Sequence, residues 1–158
     1  MTKIKILALS VLLLAAGAAA QSVVTATDAT QVTRVLSAND YEFGLDAEDD
    51  GTPIVKLQVG DGYNAILFFY DDNPGQPGYE SLQLYIGFAV DGKISLATIN
   101  DWNYNYRFAR SYLDDDLDPV LESDLDLSGG VVLENTLLVF LQNFEAALES
   151  FVTEVVGK

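Results

Sequence analysis

Three aspartates with alternating spacing are the first residues in this sequence that could do chemistry. Asp114, Asp116 and Asp118 stand at positions i, i+2 and i+4, which is the spacing of the first ligands in an EF-hand calcium loop. That loop also needs glycine at its sixth position and glutamate at its twelfth, where this chain has Pro119 and Leu125. The motif is incomplete, so a solvated acidic turn is favoured, with weak Ca²⁺ binding as the alternative.

A second polar set flanks the same turn. If Leu113 lies opposite Pro119 across a hairpin, then Arg110 lies opposite Glu122. Strand alternation then places one group of side chains on a single face of the hairpin: Phe108, Arg110, Tyr112, Glu122, Asp124 and Asp126. A cross-strand ion pair worth about 0.2–1 kcal/mol is favoured over a polar functional site.

Two absences exclude whole classes of chemistry. The chain contains no cysteine and no histidine. Thiol catalysis, Ser-His-Asp triads, and zinc or haem sites built on those residues are therefore excluded. Carboxylate chemistry remains, but no two acids are singled out as a glycosidase pair among so many. We therefore expect a protein that is not an enzyme, with no catalytic residues, no cofactor and no metal site.

The N-terminus has the pattern of a secretory signal peptide over residues 1–20. Lys3 and Lys5 precede an apolar run that is too short to span a bilayer, and three alanines end the segment before Gln21. Cleavage removes two of the eight basic residues and no acid, which leaves a formal charge of −18. We expect a periplasmic or secreted protein that after cleavage binds neither membrane nor nucleic acid, since its charge repels phosphates.

The remaining residues, 21–158, predict a single domain that starts with one helix and a strand meander. Residues 28–38 predict an amphipathic helix that Thr27 or Asp28 could cap. Four strands separated by short turns follow, over residues 41–45, 54–59, 63–70 and 82–88. The strand over 63–70 is almost continuously apolar, which predicts a central strand covered on both faces.

The second half of the chain predicts a helix, a hairpin and a long final helix. Ser95 opens the helix, strands over 107–113 and 120–127 form the hairpin, and Ser128-Gly129-Gly130 separates it from the final helix. The apolar stripe of that helix runs from Leu133 to Val155. The predicted fold class is α+β, an antiparallel sheet of five to six strands (meander plus hairpin) packed by three helices.

Several side chains are candidates for contact with a partner protein. Leu138 and Val139 widen the apolar stripe of the last helix, which often marks a second contact surface. Trp102 lies among asparagines that could orient a ligand, although a core tryptophan and structural caps are favoured. A sheet face of tyrosine and phenylalanine is another candidate. The predicted partner-binding residues are Trp102, Arg110, Tyr112, Leu138 and Val139.

Four segments of the sequence resemble the YbjN-type domain, a family associated with bacterial sensory-transduction regulation. They are Ile99–Asn103, Arg107–Asp114, Asp118–Glu122 and Asp124–Gly130. The resemblance extends over a core of about residues 28–156. It implies an α+β fold similar to that of type III secretion chaperones, which dimerise and bind protein segments. It transfers no catalytic or cofactor residue.

These observations together predict an exported, non-enzymatic, chaperone-like or regulatory module that binds a protein or peptide. Whether it forms a homodimer is left open. The alternative is a periplasmic protein that binds cations or small solutes through its acidic loops, residues 46–50 and 114–118.

Overall fold

The computed structural model describes residues 23–24, 29–70, 78–128 and 132–157. Several sequence predictions lie outside these residues. They are the signal peptide, the caps of the first helix at residues 27–28, most of the loop over residues 71–78, and the glycine pair that precedes the last helix.

Eight strands and three α-helices follow one another along the described residues. In chain order they are β1 (Val23–Val24), α1 (Ala29–Ala38), β2 (Phe43–Ala47), β3 (Pro53–Val59), β4 (Tyr63–Tyr70), β5 (Ser81–Gly87), α2 (Leu96–Asn105), β6 (Arg110–Leu113), β7 (Pro119–Asp126), β8 (Val132–Leu133) and α3 (Glu134–Phe151). A π-helical segment, Val152–Val156, continues α3.

Six of the strands form one antiparallel sheet in the order β2-β3-β4-β5-β7-β6. The first four strands are neighbours in the chain and form the meander. The β6–β7 hairpin is attached so that β7, not β6, pairs with β5. The predicted α+β class, the strand number and the combination of a meander with a hairpin are confirmed.

Local sequence signals set the ends of the first two helices. Asp40 adopts a positive φ of 61°, and the Tyr41 amide donates to the carbonyl of Leu36 at 3.1 Å, as in a Schellman C-cap. At α2, the Ser95 hydroxyl accepts from the amide of Thr98 at 3.1 Å, which is an N-cap bond. Helix α1 and the opening of α2 are therefore where the sequence predicts them.

The hydrophobic core lies between one face of the sheet and the helices. The sheet contributes alternate residues of β3, β4, β5 and β7, each 4% exposed or less: Val55, Leu57, Val59, Ala65, Leu67, Phe69, Leu82, Leu84, Ile86 and Leu121. Helix α3 contributes a stripe at helical spacing: Leu137, Phe140, Leu141, Phe144, Ala147, Leu148 and Phe151. This stripe agrees with the predicted one. Because it packs on one face of the sheet, the opposite face of the sheet points outward.

The prediction that β4 is covered on both faces is wrong. Strand β4 is internal to the sheet, but only Ala65, Leu67 and Phe69 are buried, while Asn64 and Tyr70 are exposed. The intervening apolar residues pack against aromatic neighbours on the same face; the Phe68 and Tyr85 rings, for example, lie 6.0 Å apart. Such lateral contacts let a continuous apolar run occupy a sheet that is covered on one side.

Two further features differ from the sequence predictions. Val23–Val24 pairs with Val132–Leu133 in a separate two-stranded sheet, so a strand precedes α1, and Leu133, the predicted start of the α3 stripe, lies in β8. Phe108 does not continue β6 opposite Asp124, because its φ of 69° breaks the extended chain and β6 begins at Arg110. A positive φ is unfavourable in a regular strand for any residue but glycine.

Candidate functional site: the open face of the sheet

The sheet face that points away from the helices is the candidate site, and we call it the open face. Strand alternation and the pairing register assign its central residues as Lys56 on β3, Ile66, Phe68 and Tyr70 on β4, Gln83 and Tyr85 on β5, Glu122, Asp124 and Asp126 on β7, and Arg110 and Tyr112 on β6. Two aromatic side chains are prominent there, since Tyr70 is 43% and Tyr112 is 39% exposed.

The ion pair that the hairpin predicts lies on the β6–β7 side of the open face. The register is as expected, with Leu113 opposite Pro119 and Arg110 opposite Glu122. The Arg110 Nε donates to Glu122 Oε1, and the Tyr112 hydroxyl donates to Glu122 Oε2 at 3.4 Å. The Glu122 residue is only 5% exposed, so these bonds supply the partners that a buried carboxylate needs.

One ionic contact and two hydrogen bonds extend this ion pair across four strands. Arg110 Nη2 lies 3.7 Å from Asp124 Oδ2, and Gln83 Nε2 donates to Asp124 Oδ1 at 2.9 Å. The Tyr70 hydroxyl in turn donates to Gln83 Oε1 at 3.2 Å. The resulting chain from β6 to β4 fixes the orientation of polar groups before any ligand arrives.

The tyrosines of this face are held in their neutral form. Burial raises the pKa of Tyr70, and the carboxylates of Glu48, Glu122 and Asp124 raise it further. Burial is also the main reason why the pKa of Tyr85 is raised, followed by Asp114 and Glu122. Both hydroxyl groups therefore stay protonated, and able to donate hydrogen bonds, to a higher pH than that of a free tyrosine.

Apolar side chains fill the space between the polar groups. Phe68 lies 6.3 Å from Tyr70 and 6.0 Å from Tyr85, measured between ring centroids. Tyr85 lies along its own strand over Gly87, where an added Cβ would come within 3.1 Å of the Tyr85 hydroxyl oxygen. The open face thus combines rigid aromatic rings with oriented donors and acceptors. These are means of binding an extended, partly apolar ligand.

The five predicted partner-binding residues do not form one site. Arg110 and Tyr112 lie on the open face. Trp102 is 2% exposed and stacks on the Tyr106 ring at 5.1 Å, so it is a core residue and not a surface contact. Its Nε1 has no hydrogen-bond partner among the described residues.

Leu138 and Val139 lie on the other side of the sheet. Leu138 packs partly against the core, whereas Val139 is 43% exposed. Val139 and Phe108 line a groove of about 250 Å³ between α3 and the hairpin, and the Arg107 guanidinium lies 5.0 Å from the Phe108 ring centroid.

The asparagines around Trp102 act as structural caps where they contact the sheet. Asn103 Nδ2 donates to the carbonyl of Ser111 at 2.9 Å, and the Ser111 amide donates to Asn103 Oδ1 at 2.9 Å. The side-chain amide thereby pairs with the outer edge of β6 as a neighbouring strand would. The preference for structural capping that was inferred from the sequence is confirmed for Asn103.

The acidic turn uses its carboxylates within the turn itself. Asp114 Oδ1 accepts from the amides of Asp116 and Asp118, at 3.0 and 2.9 Å. Asp118 Oδ1 accepts from the Val90 amide at 3.2 Å. Within the described parts of the chain, no group of three or more acidic side chains is placed to hold a metal ion. None of the described helices combines the length and apolarity that a bilayer-spanning helix requires.

A cavity of about 580 Å³ lies on the helix side, next to the π-helical segment. Its charged lining residues are Asp61, Glu145 and Glu149. Glu145 is engaged in the fold, because its Oε1 accepts from the Gly60 amide at 3.3 Å and its carboxylate hydrogen-bonds Tyr41. These contacts indicate that Glu145 links α3 to the sheet.

The Tyr41 environment predicts a loss of stability at alkaline pH. Burial, followed by the charge and hydrogen bond of Glu145, raises the pKa of Tyr41 from 10.0 to about 12. Above pH 10 the unfolded chain loses this proton first, so the stabilisation is complete below pH 10 and disappears between about pH 10 and 12.

Urea unfolding at pH 8 and pH 11 measures how much unfolding free energy is lost at alkaline pH, and Tyr41→Phe should reduce that loss. Tyr104→Phe, at an 88% exposed residue, should reproduce the wild-type loss, and equal losses in both variants would refute this role of Tyr41.

Sequence reasoning identified one side of the open face by its residues and the other side only as a sheet face of tyrosine and phenylalanine. The hairpin register identified Arg110, Glu122 and Tyr112, but Tyr70, Gln83 and Phe68 were not singled out. The alternation of buried Leu82 and Leu84 with the polar Gln83 was a usable signal. In β4 the signal was hidden, because from Ala65 onward both alternating sets of side chains are apolar or aromatic.

Comparison with known families gives one match, and it covers most of the chain. The model of the YbjN family, described as "Putative bacterial sensory transduction regulator", matches residues 28–156. This range includes both edges of the six-stranded sheet and every strand of the open face. No curated protein matched the chain.

Proposed function

The chain belongs to the YbjN family, and from that premise we propose that it is a regulatory protein-binding module whose binding surface is the open face. The module acts by binding and not by catalysis. Its partner is a protein or a peptide segment, which seats apolar side chains on the aromatic rings and hydrogen-bonds the network around Glu122.

One observation carries this proposal: a sheet with one face packed beneath helices presents ordered aromatic and charged side chains on the other. Polar residues would suffice to keep such a face soluble. Here Phe68 and Ile66 are only partly exposed, and Tyr70 and Tyr112 project beside them. Exposed aromatic residues within a polar surround are typical of protein-binding surfaces.

We further propose that the module acts after export from the bacterial cytoplasm, as the signal-peptide pattern of residues 1–20 predicts. A chain without cysteine forms no disulfide bonds, so its folding does not depend on whether the compartment is oxidising or reducing. The sequence is therefore compatible with export. A regulatory role in this compartment is one of sequestering or presenting a partner protein.

Site-specific photo-cross-linking tests the proposed binding surface. Benzoylphenylalanine replaces Tyr70 on the open face, Val139 in the helix-side groove, or Tyr104, which is 88% exposed on α2. Each variant is incubated with periplasmic extract of the producing bacterium, and the adduct is identified, purified and rebound. We expect one defined adduct from position 70 and little from position 104. Preferential cross-linking from position 139 would instead assign binding to the groove.

A further inference from the structure

We propose that the open face binds a basic segment of the partner, an extended stretch in which lysine or arginine alternates with apolar side chains. This inference rests on the proposed function, because it specifies the partner chemistry that the same face would accept. It follows from the charge balance of the face and from the placement of its aromatic rings.

The basic side chains of the open face are already paired with acids. Lys56 Nζ lies 2.6 Å from Asp46 Oδ2, and Arg110 is bound by Glu122 and Asp124. Neither cation is therefore available to an acidic partner without the loss of an existing contact. The chain as a whole has 24 acidic and eight basic residues, so acids outnumber bases threefold.

Several acids around the face lack a basic partner among the described contacts. Asp126 accepts from Ser128, whose backbone amide lies 2.8 Å away. Glu48 lies close enough to Tyr70 to raise the pKa of that tyrosine, and Asp114 does the same for Tyr85. Glu48 and Asp126 lie at the strand ends beside Tyr70, and Asp114 lies at the opposite end of the sheet, so carboxylates stand at both ends of the aromatic centre.

The aromatic rings lie among these carboxylates, and this combination favours the binding of cations that carry an apolar stem. Lysine and arginine can place their methylene groups on Phe68 or Tyr85 and their charge near the acids. The faces of exposed tyrosine rings, such as those of Tyr70 and Tyr112, also attract cations. An acidic segment, or a second copy of this acidic chain, would meet electrostatic repulsion at the same surface.

Three labelled peptides of 12 residues test the inference by fluorescence anisotropy with the purified protein. The first alternates lysine with valine or tyrosine, the second has glutamate in place of lysine, and the third has serine in place of valine and tyrosine. We expect the first peptide to bind at least about tenfold more tightly than either other peptide, with an affinity that falls as salt rises.

Two pairs of charge-neutralising variants have the same net charge and differ in location. Asp124→Asn with Asp126→Asn changes the open face, whereas Asp101→Asn with Glu149→Gln changes the exposed helix side. The first pair should weaken binding of the cationic peptide about three- to tenfold, and the second should leave it near wild type. If the first pair alters folding, Glu48→Gln takes its place in the peptide-binding measurement, because Glu48 is exposed and lies outside the hydrogen-bonded network.

The outcomes separate this inference from the proposed function. Equal or tighter binding of the glutamate peptide, or equal effects of the two variant pairs, would overturn the basic-segment inference but leave the open face as a binding surface. Equal binding of the lysine–serine peptide would also overturn it, since charge alone would then suffice. Failure of all three peptides, together with no adduct from position 70, would overturn both.

Discussion

Replacing Phe151 with alanine is expected to lower the free energy of unfolding by about 3–5 kcal/mol, the range for truncating a buried aromatic side chain. Phe151 is fully buried. Its ring centroid lies 5.1 Å from that of Trp102 and 5.8 Å from that of Phe88. The cavity would therefore separate α3 from both α2 and the segment that follows β5. Urea unfolding of the purified variant measures the change.

The matched control for Phe151→Ala is Val139→Ala on the same helix. Val139 is 43% exposed, so its truncation should cost less than about 1 kcal/mol. A loss below about 1 kcal/mol for Phe151→Ala would contradict the described packing, because it would mean that the aromatic cluster contributes little to holding α3 on the sheet.

Replacing Asn103 with alanine is expected to cost about 2–3 kcal/mol. The change removes the two 2.9 Å hydrogen bonds between the Asn103 amide and the backbone of Ser111, and it leaves the amide and carbonyl of this buried residue, at the outer edge of β6, without those partners. An unpaired strand edge also promotes association with other chains. Urea unfolding reports the stability loss, and light scattering at rising protein concentration reports the association.

Two other variants isolate the cause of that effect. Asn105 donates only to the Asp101 carbonyl of its own helix, at 2.9 Å, and is exposed. Asn105→Ala should therefore cost about 0.5 kcal/mol or less. Asn103→Asp keeps the acceptor and loses the donor, so its cost should be intermediate. Equal costs for the alanine variants at positions 103 and 105 would show that the β6 edge does not depend on Asn103.

The fold could be predicted from sequence where local signals agree with tertiary packing. Helix α1, the strand meander and the α3 stripe each combine a period of apolar residues with a recognisable end signal. The hairpin register was predictable from Arg110 to Leu113, because placing Leu113 opposite Pro119 fixes these pairs in an antiparallel ladder. The predicted ladder fails only beyond them, at Phe108. The absence of cysteine and histidine likewise restricts the possible chemistry through composition alone.

The features of the fold that could not be predicted depend on tertiary contacts that no local sequence pattern encodes. The apolar run of β4 has the composition of a doubly covered strand, yet half of its side chains pack laterally on one open face. The pairing of β1 with β8 joins residues far apart in the chain, and neither strand is long enough to show a period. The positive φ of Phe108 is set by its surroundings, which include the Ser123 hydroxyl donating to its carbonyl at 2.6 Å.

The candidate site was only partly predictable for the same reason. Arg110 and Glu122 are near each other in sequence and were paired by register. Tyr70 and Gln83 join them only because β7 lies between β5 and β6, so that the network crosses from the hairpin into the meander. Trp102 was a candidate as the single tryptophan, but its size and apolarity place it in the core beside Phe151.

Cross-linking from position 70, compared with positions 104 and 139, most directly tests the claim that the open face is the binding surface. We predict a single adduct from position 70 that reforms with the purified partner and is suppressed by an excess of the unlabelled lysine peptide. Adduct formation that is as strong from position 104, or stronger from position 139, would contradict it.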